Sequence, residues 1–132
     1  MEIGNCQIKS DNGTFVIAEA GSNHNGDLET AKDLIDVGAE AGVDAVKFQV
    51  FDADDLYVEK SGTDETIDKN RSIHDVISSL ELPREWIPEL SAYSNRQGVL
   101  FLATPFDEQA VELLDEYVSA FKIASSSITH IP

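Results

Sequence analysis

The stretch "DAVKFQVF", residues 44–51, decides how this chain folds. It is a short run of β-branched and aromatic residues, the composition of a buried strand, yet a lysine stands in its middle. Cations are scarce here, with 9 Lys plus Arg against 25 Asp plus Glu. Alternate residues of a strand share a face, so Ala45, Lys47 and Gln49 point one way and Val46, Phe48 and Val50 the other. The second set forms a face for helices to cover. The first calls for a polar interior.

Working outward, "TFVIAEAG" (14–21) reads as a preceding strand, and Asp27 as the N-cap of a helix with Leu28, Ala31, Leu34, Ile35 and Gly38 on one side. Gly42 follows as its C′ residue. After the central strand, the polar stretch from Asp52 to Arg71 is longer than an ordinary connection and reads as a functional or mobile loop. Helical patterns return at Ile73–Leu80 and Arg84–Gln97, with Pro83 and Pro88 blurring the start of the second. "GVLFLATPF" (98–106) reads as a third strand, Asp107–Tyr117 as a helix and "SAFKIAS" (119–125) as a fourth strand.

Strand and helix in alternation mean parallel strands with crossover helices, an α/β fold. "GSNHNG", after the first strand, lacks the spacing of a dinucleotide-binding turn. A TIM (β/α)8 barrel is the better candidate, but it takes about 250 residues and eight strands. The 132 residues supply about four βα units, so the expectation is the N-terminal half of such a barrel, one partial domain over residues 1–132.

A net charge of -16 and a pI near 4.2 argue against nucleic acid or an anionic membrane as partner. Cys6 is the only cysteine, and no apolar run approaches a membrane span or a leader, so a cytoplasmic location is expected.

With the bulky faces turned to helices, Glu19, Lys47, Gln49 and Lys122 converge inside the barrel, near the carboxyl ends of the strands. One carboxylate does not balance two lysines, which points to an anionic ligand. The competing reading is a Lys–Glu pair buried for packing, or lysines that reach out to water. The residues alone leave both open. His24 could serve as a ligand, but it reads first as a residue that orders its loop. His74 and His130 lack metal-ligand spacing, and Trp86 and Tyr93 sit at helical spacing as core.

"IAEAGSNHNGDLETAKDLID", "AGVDAVKFQ", "TPFDEQAVELLD" and "AFKIASSSITHIP" occur in that order. They resemble successive motifs of the sialic acid synthase family over about Phe15 to Pro132. The resemblance implies condensation of phosphoenolpyruvate with an N-acylated hexosamine of the N-acetylmannosamine type. The products are a nonulosonic (sialic) acid for surface carbohydrate and phosphate. It implies a homodimer, with a small C-terminal antifreeze-like domain that, like the second half of the barrel, is absent from this sequence. It gives catalytic roles to Glu19, Lys47 and Lys122, and substrate-binding roles to Gln49, Asn70, Thr104, Phe106 and Ser125. It also implies a divalent metal, Mn or Mg, with ligands outside this chain.

One feature departs from the family pattern. Ser126 and Ser127 follow "KIAS" where an acidic residue is usual, and a serine is no base near neutral pH. With that carboxylate, the metal ligands and the later phosphate ligands all missing, the chain alone is expected to be inactive. The alternatives are a related synthase acting on a sugar phosphate, a Schiff-base aldolase using Lys47 or Lys122, and a non-catalytic fragment.

Overall fold

A computed structural model describes residues 1–8, 13–56 and 71–129. Most of the long polar loop, with Asn70, and also His130 and Pro132, lies outside the described residues. The central strand is β4 (Ala45–Val50), flanked by β3 (Ile17–Gly21) and β5 (Leu100–Pro105) in a parallel sheet of order β3-β4-β5. Strands β1 (Glu2–Ile3) and β2 (Cys6–Gln7) form a separate antiparallel hairpin.

Helix α1 (Leu28–Glu40) connects β3 to β4. The Asp27 side chain accepts from the Thr30 amide at 2.7 Å and so satisfies a free donor at its start. Ala31, Ile35 and Gly38 form its buried side. The helix lies very close to the sheet, for a Cβ placed on Gly38 would come 2.7 Å from Cγ2 of Val46. Beyond it, Gly42 takes the left-handed backbone (φ +75°) that turns the chain into β4.

Between β4 and β5 come the short helices α2 (Ala53–Leu56) and α3 (Ile73–Ser78), a 3-10 turn (Arg84–Trp86) and α4 (Ile87–Gln97). Pro83 precedes the 3-10 turn and Pro88 falls in the first turn of α4, where a missing amide hydrogen does no harm. Helix α5 (Glu108–Leu114) follows β5, capped by Asp107.

The facing inferred from the sequence holds. Val46, Phe48 and Val50 of β4, with Phe101 and Ala103 of β5, pack with Ile35, Ile87, Leu90 and Leu114 in one core on the helix side. Phe48 stacks on Phe101 with ring centroids 5.9 Å apart. Trp86 and Tyr93 pack against this core as expected.

Helix α2 lies at the start of the stretch read as a loop, and two further elements differ from expectation. The fourth strand shrinks to one parallel bridge between Phe121 and Ala103. Phe121 anchors it on the core, but Lys122 and Ile123 are exposed, and no further strand pairs beyond them among the described residues. The β1–β2 hairpin was not anticipated. Its Gly4–Asn5 turn, with Gly4 at φ +57°, approaches Leu100 and covers the lower end of the face opposite the helices. No described helix is long and apolar enough to cross a membrane.

Candidate active site

The face turned away from the helices carries the polar residues. Register sets Glu19 of β3 directly beside Lys47 of β4, and Gln49 of β4 beside Thr104 of β5. The Lys47 ammonium forms an ion pair with Oε2 of Glu19 and donates to Oγ1 of Thr104 at 3.3 Å. Three adjacent strands therefore hold one cation from both sides. Lys47 is 8% exposed, whereas the Glu19 side chain is 52% exposed, so the ammonium lies inside and the carboxylate at the mouth. Such burial is tolerable because the ammonium has both a counter-ion and a hydrogen-bond acceptor.

Just after Glu19 the pairing slips, and Gly21 takes φ +57°. A Cβ there would stand 3.4 Å from Oε1 of Glu19 and 3.8 Å from the side-chain nitrogens of Asn23 and Gln49. Glycine thus keeps clear a spot around which a carboxylate and two amides gather. Asn23 is held in place as its amide donates to the Ala20 carbonyl at 2.9 Å. Neither Gly21 nor Asn23 figured among the sequence candidates. A glycine closing an apolar strand signals a bulge or a close approach, and that signal was available.

The other candidates are placed as follows. Thr104 is buried at the carboxyl end of β5. Phe106 extends the ladder by donating its amide to the Val50 carbonyl at 3.0 Å, and its ring meets Phe51 edge-on with centroids 6.0 Å apart. Lys122 lies one residue past the bridge, on the Thr104 side of the sheet. It does not join the Lys47–Glu19 pair. It is exposed, and its ammonium donates to the neighbouring Ile123 carbonyl. With no ion pair to a carboxylate among the described residues, this ammonium gains more from water than from the sheet interior. Ser125 is exposed, and Asn70 lies outside the described residues.

His24 orders its loop, as read from the sequence. It is fully buried, its Nδ1 accepts from the Gly26 amide at 3.1 Å, and its ring meets Trp86 edge-on. Burial holds its pKa below the usual value, against a smaller opposing pull from the Leu80 backbone. Its Nε2 makes no complete hydrogen bond among the described residues. His74 pairs with Asp54 at 2.8 Å, away from these strands. A depression lined by Arg71, His74, Asp75, Ser78 and Ser79 contains none of the candidate residues.

Among the described residues, no three of His, Cys, Asp and Glu gather as metal ligands, and Glu19 is engaged by Lys47. These residues do not fit the divalent metal that the resemblance implies.

Residues 34–132 match the model of the NeuB family. The spore coat polysaccharide biosynthesis protein SpsE of Bacillus subtilis is 47% identical over 99% of this chain and 36% of its own length. An N,N'-diacetyllegionaminic acid synthase of Legionella pneumophila is 43% identical over 89% of this chain and 35% of its own length. In structure, the N-acetylneuraminic acid synthetase of Leptospira borgpetersenii superposes with a TM-score of 0.80 at 34% identity. That match covers 97% of this chain and 42% of the other. The chain thus spans a little over one third of the length of the two sequence relatives.

Proposed function

The chain belongs to the NeuB family, and on that footing we propose that it forms the phosphoenolpyruvate-binding part of a nonulosonic acid synthase. In this reading it is the first half of a TIM barrel, from a cytoplasmic and homodimeric enzyme of surface carbohydrate biosynthesis. A second half of the barrel and a small C-terminal domain complete the enzyme in this reading. The observation that carries the proposal is the Lys47 ammonium, buried between Glu19 and Thr104 with the Glu19 carboxylate half in water beside it.

Lys47 and Lys122 hold the carboxylate and phosphate of phosphoenolpyruvate, with the Thr104 hydroxyl and Ser125 at the phosphate end. Anion binding draws Lys122 inward, because the ligand supplies the negative charge that the sheet lacks beside it. The methylene carbon of phosphoenolpyruvate then attacks the aldehyde carbon of the N-acylated hexosamine, forming the new carbon–carbon bond as the aldehyde oxygen takes a proton. Water adds, with loss of a proton, to the cation left at the neighbouring carbon that bears the phosphate oxygen, and the bond from that carbon to that oxygen breaks to release phosphate and leave the keto group. Glu19, half in water and beside the clear space at Gly21, faces the sugar and takes up or returns the proton in transit. Gln49, Asn70 and Phe106 complete the binding surface. The Mn or Mg ion of such enzymes is held by residues outside this chain and enters no step assigned here.

The test is phosphate release by a protein carrying this segment with the remaining length of its relatives. Release should depend on both phosphoenolpyruvate and an unphosphorylated N-acyl hexosamine. Release only with the phosphorylated sugar would transfer the segment to a sugar-phosphate synthase. No release with either sugar would overturn the proposal. The 132-residue chain by itself should release none.

A further inference from the structure

We infer that residues Glu81–Trp86 form a positioning strap that braces together the three loops leaving the strands that carry the candidate site. Those loops follow β3, β4 and β5 at the carboxyl end of the sheet, and each is tied to a different residue of the strap. Oε1 of Glu81 accepts from the Ala53 amide at 2.8 Å, fixing the turn from β4 into α2. Nη2 of Arg84 donates to Oδ2 of Asp107 at 2.7 Å, while Oδ1 of the same carboxylate accepts from the Ala110 amide at 2.7 Å. That pair fixes the turn just after Thr104 and Phe106. The Trp86 ring meets His24 edge-on, at 5.8 Å and 79°, and His24 in turn holds the Gly26 amide at 3.1 Å. That contact fixes the loop containing Asn23.

The strap is stiff enough to serve. Leu82 is 2% exposed within the core, the Pro83 ring fixes its own backbone at φ -55°, and the Trp86 amide closes the turn on the Pro83 carbonyl at 2.9 Å. The Arg84–Asp107 tie is largely shielded from water, with the Asp107 side chain 10% and the Arg84 side chain 28% exposed. None of the strap residues is a candidate for touching substrate. They act through Asp107, Ala53 and His24, as positioning residues that hold separate loops in one mutual arrangement.

Amide hydrogen exchange tests this directly. Arg84→Met removes only the tie to the β5 loop. If the strap is one brace, exchange should quicken about tenfold at Ala110 and also at Ala53 and Gly26, as local opening becomes easier. The Phe48 and Leu102 amides within the sheet should keep their protection, and Arg84→Lys should recover part of the loss. A change at Ala110 alone would show three independent contacts and overturn the strap. Equal quickening in the sheet amides would show general loss of stability and overturn it as well.

The link to catalysis rests on the proposed synthase reading. In a protein showing that activity, Arg84→Met should lower kcat about tenfold, with a smaller change in KM for phosphoenolpyruvate. Lys47 is held by the sheet and not by the strap, so it keeps its place. An unchanged kcat would remove the catalytic role. If the unaltered protein shows no turnover, the synthase reading fails, while the exchange data still decide the strap.

Discussion

Lys47 is accommodated where water scarcely reaches because the neighbouring strands offer a carboxylate and a hydroxyl at the same level of the sheet. Charge balance in the sequence foretold a partner for a buried lysine. It did not foretell that Lys122 would lie outside, since that turns on how far the fourth segment pairs. His24 shows the opposite solution to burial, a ring kept neutral. Its folded pKa lies below its ordinary value of 6.5, so the unfolded chain binds a proton more readily than the folded one. The stability from this shift is complete above pH 6.5 and is lost as the pH falls from there through the lower folded value. Protonation would also convert Nδ1 into a donor and break its bond from Gly26. His24→Asn retains an acceptor near Nδ1 without a titrating ring. Its melting temperature should vary less between pH 6.5 and 5 than that of the parent, and an equal dependence would show that other groups govern this range.

Gly38 brings α1 close to the sheet, and its substitution sets two effects against each other. Alanine in place of glycine inside a helix stabilises by about 1 kcal/mol. The added methyl would meet Cγ2 of Val46 at 2.7 Å and Cγ2 of Val43 at 3.4 Å, and overpacking of that kind costs about 1–3 kcal/mol. Val46 is fully buried and has nowhere to retreat. Gly38→Ala should therefore lower stability by about 1 kcal/mol in denaturant unfolding, and a gain would mean that the helix slides freely on the sheet. Legibility at this scale followed burial. β4 was plain because its residues are apolar on the helix side and interrupted by polar ones on the other, and α1 was framed by Asp27 and Gly42. The fourth strand was over-read because an apolar run shows that a strand is possible but not that a partner exists for its outer edge. The hairpin at Gly4–Asn5 was missed because its strands are only two residues long, too short for periodicity to register.

Taken as a whole, the molecule combines a net charge of -16 with an incompletely covered sheet. Ile17, Ile123 and Ile128 are 42%, 50% and 72% exposed, and β3 pairs on one side only among the described residues. In the proposed half-barrel these groups meet the other half, and in its absence they favour association. Repulsion between copies opposes this, but salt at about 0.1 M screens charges beyond roughly 10 Å. Sedimentation should show the 132-residue chain associating further as salt is raised, and a compact monomer at low and high salt alike would contradict the half-barrel.

The most direct test of the central claim is the affinity for phosphoenolpyruvate of a protein carrying this segment at the length of its relatives, compared with its Lys47→Met variant. Methionine fills the space of the lysine stem and leaves Glu19 to water, so the fold should survive the change. Loss of one charge-assisted contact, worth about 1.5–3 kcal/mol, should weaken binding by about tenfold or more with the melting temperature nearly unchanged. Equal affinity in the two proteins would show that Lys47 is a packing residue and that the anion lies elsewhere.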